Sequence, residues 1–131
     1  MKIAIVVSET YWPTITGPML KLAKEAAEEE GVETVIIKVP GTYDIPFGVL
    51  TVIENVDGVV TLGAVVQGQT AHDEVICNVV ASKLLDLSLE FQTPVVLGIN
   101  GPKMSLQNGI ARISRAREVT KACIQMVKTL S

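Results

Sequence analysis

The run Val59-Val60-Thr61-Leu62-Gly63-Ala64-Val65-Val66 carries no charge and is crowded with β-branched side chains. A stretch so short and so apolar reads as a strand covered on both faces, which demands a parallel sheet with helices on either side. Three further runs repeat the pattern. Ile3-Ala4-Ile5-Val6-Val7 is the first strand, Thr34 to Val39 the second, and Pro94 to Ile99 the fourth. The second is the most polar and is expected at an edge.

Helical patterns fill the gaps. Thr16 stands at the N-cap of the first, with Pro18 in its first turn and Gly31 just past its end. The second is expected over Ile45 to Asn55, and the third after Thr70. The last reads as one helix from a Ser105 cap, with Leu106, Ile110, Ile113, Ala116, Val119, Cys123, Val127 and Leu130 on a buried stripe and Arg112, Arg115 and Arg117 off it. Strands alternating with helices imply right-handed crossovers. The expected fold is α/β: a three-layer, flavodoxin-like domain with a four-stranded parallel sheet flanked by helices, one domain over residues 1–131.

A chain of 131 residues that is 48% hydrophobic can bury a sizeable core. Its net charge of −3 and lack of a basic run argue against nucleic acid or an anionic membrane as partner. No apolar run approaches the ~18 residues that a bilayer span needs, and Met1 leads into the first strand without a signal-peptide layout. A cytoplasmic protein acting on small molecules is expected. Cys77 and Cys123 lie on different predicted helices without metal-ligand spacing, so both read as reduced packing residues and no metal site is legible.

In open parallel sheets ligands bind beyond the carboxyl ends of the strands. That edge should collect Tyr11 and Trp12, Tyr43 and Asp44, Gln69, Thr70 and His72, and residues 100 to 104. Thr70 followed by Asp73 has capping-box spacing, which places His72, the only histidine, in the first turn of the third helix. Free N–H groups and the helix dipole there favour an anion, phosphate above all. Blander readings stand beside these. The aromatic pair could cover the sheet edge, Asp44 could cap the second helix, and the arginines could form a solvated face. Gly41, Gly63, Gly68 and Gly98 fit neither a dinucleotide fingerprint nor a Walker loop, so nicotinamide and nucleoside triphosphate are poor candidates.

The segments PGTYDIP and GAVVQGQTAHDEVICN, followed by Leu97-Gly98-Ile99 and Arg112 in this order and spacing, resemble the 6,7-dimethyl-8-ribityllumazine synthases. The resemblance covers nearly the whole chain, and its most specific part is the G-x-T-x-H turn. It implies condensation of 5-amino-6-ribitylaminouracil with 3,4-dihydroxy-2-butanone 4-phosphate, the penultimate step of riboflavin synthesis, with no cofactor. By the same resemblance Tyr11 or Trp12 stacks on the pyrimidine, while Thr42, Tyr43 and Asp44 hold the ring and ribityl chain. Val65, Val66 and Leu97 line the pocket, Gln69, Thr70 and Arg112 bind the phosphate, and His72 shuttles protons. Arg117 falls near a position where the family carries a lysine, and is a further possible site residue. Asp44 stands where Glu is common and Leu97 where Phe is frequent. An archaeal-type riboflavin synthase and a non-catalytic shell or flavin-binding protein are the rival readings.

The third helix carries Val75, Ile76, Val79, Val80, Leu84, Leu85, Leu87, Leu89 and Phe91, more apolar circumference than one sheet face can cover. Self-association is therefore expected. The resemblance implies a homo-oligomer, either a pentamer or a 60-subunit particle, with active sites between subunits. On a single helix from Ser105, Arg112 would lie about 10 Å from the carboxyl edge, which favours its serving a neighbour's site.

Overall fold

In the computed structural model, which describes residues 1–130, four strands run parallel in the order β2-β1-β3-β4. They are β1 (Lys2–Ser8), β2 (Glu33–Val39), β3 (Gly58–Ala64) and β4 (Val95–Asn100). The five helices are α1 (Gly17–Glu29), α2 (Ile45–Val52), α3 (His72–Phe91), α4 (Leu106–Ala111) and α5 (Arg115–Leu130). Every residue of β3 is buried, as its uncharged run requires, and the more polar β2 lies at an edge.

The two-residue period of a strand divides the core in two. Ile3, Ile5 and Val7 of β1 pack with Met19, Ala23 and Ala27 of α1 and Ala116, Cys123 and Ile124 of α5. Ala4 and Val6 point the other way, toward Ile45 and Val49 of α2 and Cys77, Val80 and Leu84 of α3. The result is the expected three-layer α/β arrangement. Gly31 ends α1 with a left-handed φ of 68°, a backbone conformation that glycine adopts without strain.

The last helix differs from expectation. It is broken: α4 ends with Arg112 as C-cap, and tight turns through Ile113 and Ser114 redirect the chain into α5. The reason lies in what each half must touch. A Cβ on Gly109 would come within 2.7 Å of Ile15 and 3.0 Å of Met104, so α4 lies pressed across the loop after β1. Ala116, Thr120, Cys123, Ile124 and Val127 instead face the sheet and α1. One straight rod cannot make both contacts, and Leu106, Ile110 and Leu130 at the ends of the expected stripe are exposed.

The capping assignments also shift. Ala71, not Thr70, precedes α3, and no side chain caps its N-terminus. Asp73 is buried, and its Oδ2 accepts the Lys103 backbone N–H at 2.8 Å. Thr16 does sit at the N-cap of α1, but its hydroxyl donates to the Thr10 carbonyl at 3.4 Å. Asp44 precedes α2 without capping it, because its carboxylate accepts the Gly41 N–H at 3.0 Å. At Asp73 burial and a tertiary partner outbid the local cap, whereas Thr16 and Asp44 bond instead to backbone groups six and three residues before them. Among the described residues no helix is long and apolar enough to cross a membrane, and no group of three or more His, Cys, Asp or Glu could hold a metal ion.

Candidate active site

Four chain segments leave the carboxyl ends of the strands and build one rim. After β1 the backbone turns left-handed at Tyr11, with φ 61°, and enters a wide helical turn over Trp12–Thr16. That turn separates the two aromatics. Trp12 is half-buried against the α1/α5 core, with the Lys38 ammonium 4.6 Å from its ring centroid, whereas Tyr11 stays exposed. After β2 a tight helical turn over Thr42–Asp44 is fixed by the Gly41–Asp44 hydrogen bond. Thr42 is buried against β3, with its hydroxyl 3.5 Å from the Ala64 carbonyl, and Tyr43 projects outward at 68% exposure. Gly63 permits this approach: a Cβ there would stand 3.0 Å from the Thr42 hydroxyl and 3.1 Å from Ile45.

After β3 the chain runs through Val65 and Val66, both half-buried, into the exposed segment Gln67 to Ala71. Two backbone bonds anchor it, Val65 N–H to the Asn100 carbonyl at 2.9 Å and Gln67 N–H to the Met104 carbonyl at 2.8 Å. His72 then opens α3, exposed, with uncapped N–H groups beside it. Such a start can take an anion against an imidazole. After β4 the side-chain amide of Asn100 donates to the Arg112 carbonyl at 3.4 Å. The Arg112 backbone is therefore held beside the end of β4, and because the last helix breaks only after it, the seven-residue rise from Ser105 along α4 is unchanged. Neither the His72 imidazole nor the Arg112 guanidinium has a side-chain hydrogen bond or ion pair among the described residues.

Most of the expected site residues thus converge: Tyr11, Trp12, Thr42, Tyr43, Asp44, Val65, Val66, Gln69, Thr70, His72 and Arg112 lie on or just behind this rim. Two do not. Leu97 sits within β4 opposite Thr61, exposed at the outer edge of the sheet. Arg117 pairs with Glu29, the last residue of α1 and far from the rim; the pair lowers the Glu29 carboxyl and raises the Arg117 guanidinium through their mutual hydrogen bond. Asp73, Asn100 and Ser8 add buried polar groups beneath the rim. Asp73 reads from sequence as half of a capping box, yet a signal for its burial is present. With Cys77, Val80 and Leu84 it continues the buried stripe of α3 at spacings of four and three, so a carboxylate heads an otherwise apolar face.

A model of the 6,7-dimethyl-8-ribityllumazine synthase family matches residues 1–131. The chain belongs to that family. Curated synthases of this name from Picrophilus torridus and Archaeoglobus fulgidus are 43% and 42% identical to it, each alignment covering 99% of this chain and 97% and 92% of the relative. The family's turn sequence therefore lies, in this chain, where the fold puts ligand chemistry. A solved flavone reductase is similar in fold alone, with a TM-score of 0.57 at 16% identity over 99% of this chain; the chain spans 64% of that protein's length.

Proposed function

We propose that the protein condenses 5-amino-6-ribitylaminouracil with 3,4-dihydroxy-2-butanone 4-phosphate to give 6,7-dimethyl-8-ribityllumazine, phosphate and water, within riboflavin biosynthesis. One observation carries this reading: a full-length match to the synthase family whose histidine turn stands at the carboxyl rim of the sheet. Neither rival, the riboflavin synthase nor the non-catalytic shell, is favoured by the family match.

The 5-amino group attacks the ketone, water leaves to form an imine, phosphate is eliminated, and the ribitylamino nitrogen closes the ring with loss of a second water. Gln69 and Thr70 backbone N–H groups and Arg112 receive the phosphate, first as ester and then as leaving group. His72 moves protons among the two nitrogens and the departing oxygens. Tyr11 stacks on the pyrimidine, since Trp12 is held inward under Lys38. Thr42, Tyr43 and Asp44 hold the ring and ribityl chain, with Val65 and Val66 as the apolar wall. Holding amine against ketone removes an entropic cost that reaches ~7–11 kcal/mol in well-oriented systems. No cofactor enters the sequence.

The protein works in the cytoplasm as a homo-oligomer, a pentamer or a 60-subunit particle, with sites at subunit boundaries. Support comes from exposed apolar side chains on α2 and α3, with Phe47 at 72% and Leu89 at 69%. Exposed Leu97 lies at the outer edge of β4, where a neighbour would meet it. Mixing the protein with both substrates should release free phosphate and the fluorescent lumazine; absence of both products would overturn the assignment. His72→Ala should lower turnover by roughly 10–10³-fold with the fold intact, because water replaces the imidazole only in part.

A further inference from the structure

The loop from Gly101 to Ser105 joins β4 to α4 and is tied to the histidine turn from three directions. The Met104 carbonyl accepts the Gln67 N–H at 2.8 Å, and the Lys103 ammonium lies 3.4 Å from the Glu74 carboxylate. The third tie starts from a buried side chain. The Asp73 carboxylate, 4% exposed and next in sequence to His72, accepts the Lys103 backbone N–H at 2.8 Å.

Lys103 needs such a partner. Its φ of 57° is left-handed, a region that a residue with a Cβ occupies only when its surroundings hold it there. Met104, completely buried, follows it and supports Gly109 of α4, whose last turn delivers Arg112. A continuous mechanical path thus runs from Asp73 through Lys103 and Met104 to α4 and Arg112. The Lys103–Glu74 ion pair cannot replace it, because both side chains are largely exposed and such pairs contribute little. A buried carboxylate accepting a backbone N–H makes a stronger, directional bond.

We infer that Asp73 is a positioning residue: its bond to the Lys103 N–H fixes the loop that carries α4, and so sets the Arg112 guanidinium at the height at which it meets the substrate phosphate. Asp73 touches no substrate. Its removal leaves His72 and the pyrimidine contacts in place and loosens the phosphate end of the site. The kinetic part of this inference rests on the proposed reaction, whereas the hydrogen-bond part does not.

The test compares Asp73→Ala, which removes the acceptor, with Asp73→Asn, which keeps an oxygen able to accept the same N–H. Amide hydrogen exchange in the substrate-free protein comes first. Protection at Lys103 should fall at least about tenfold in Asp73→Ala and stay near the parent level in Asp73→Asn. In steady-state assays Asp73→Ala should raise KM for the butanone phosphate about tenfold, with KM for the aminouracil and kcat changed less than about threefold; Asp73→Asn should restore the first value. Should Asp73→Ala fail to fold, Asp73→Glu, which displaces the acceptor by one methylene, takes its place. Unchanged exchange at Lys103, an Asn variant as impaired as the Ala variant, or equal losses for both substrates would overturn the inference. A parent protein without activity would overturn the proposed reaction and leave the exchange result to decide the bond.

Discussion

On one face of the sheet α1 and α5 bury their apolar stripes and are joined by two ion pairs, Arg117 with Glu29 and Lys128 with Glu30. On the other, α2 and α3 bury Ile45, Val49, Cys77, Val80 and Leu84 yet leave Phe47, Leu50, Val75, Val79, Leu85 and Leu89 in solvent. Between α2 and α3 lies a groove of about 520 Å³ lined by Tyr43, Phe47, Leu50, Val79 and Leu87 among others. The second face exposes more large apolar side chains than the first, where Met126 and Leu130 of α5 are exposed. Tyr43 belongs both to this groove and to the proposed substrate rim, so anything seated on the open face would also border the proposed site.

The largest effect is expected from Phe47→Asp. A charge placed at the centre of the open face should weaken each subunit contact by roughly 2–4 kcal/mol, enough to leave a 14.0 kDa species in sedimentation at micromolar concentration, with most activity lost. Helical circular dichroism should persist. An assembly of unchanged size would show that the open face is covered by something other than a second copy.

Next in size is a complementation between subunits. His72→Ala and Arg112→Ala proteins, each weak alone, should regain activity when unfolded together and reassembled, since some boundaries then join an intact turn to an intact arginine. The Arg112 carbonyl is held by Asn100 of its own chain, while its guanidinium makes no ion pair among the described residues, so the experiment decides which subunit's turn the arginine serves. Mixed particles no more active than the mean of the parents would assign the arginine to its own turn.

A smaller effect sharpens the closed face. Burial pushes the Cys123 thiol up to about 12 from its ordinary value of 9.0. A group whose folded pKa is raised lends stability that is fully present below its unfolded pKa and is lost as pH rises through the folded value, here between about 9 and about 12. Urea midpoints measured at pH 8 and pH 11 should therefore fall more steeply for the parent than for Cys123→Ala. Parallel declines would mean that the thiol takes no part. Least of all should come from Arg117→Ala on the solvent side of the same face: a stability change smaller than that of Cys123→Ala, and one that vanishes at high salt, since exposed pairs are screened.

Much of this was legible in the chain. The uncharged run from Val59 dictated a strand buried on both faces, and the order of strands and helices dictated parallel pairing. The excess of apolar residues on α3 was visible as spacing, and exposure at Val75, Val79, Leu85 and Leu89 matches it. At the rim, the turns after β1 and β2 fell where the sequence put them, whereas β3 ends at Ala64, two residues before its apolar run does.

Local patterns failed where a residue could satisfy either a neighbour in sequence or one in space. Thr70 and Asp73 have the spacing of a cap, but Asp73 also heads the buried stripe of α3, and a buried carboxylate must find a donor, here the N–H of Lys103 thirty residues away. Seven residues of good helical pattern run from Ile110 to Ala116 without a proline, and Ser114, just before α5, is the one residue there of a type that favours a helix start. Only the competition between the loop after β1 and the sheet, each claiming one half, breaks the helix after Arg112. Sequence by itself determined the periodicities, and with them the layers and the edge where ligands bind. Tertiary structure decided which polar groups lie buried and where the last helix bends, because both depend on what distant segments place beside them.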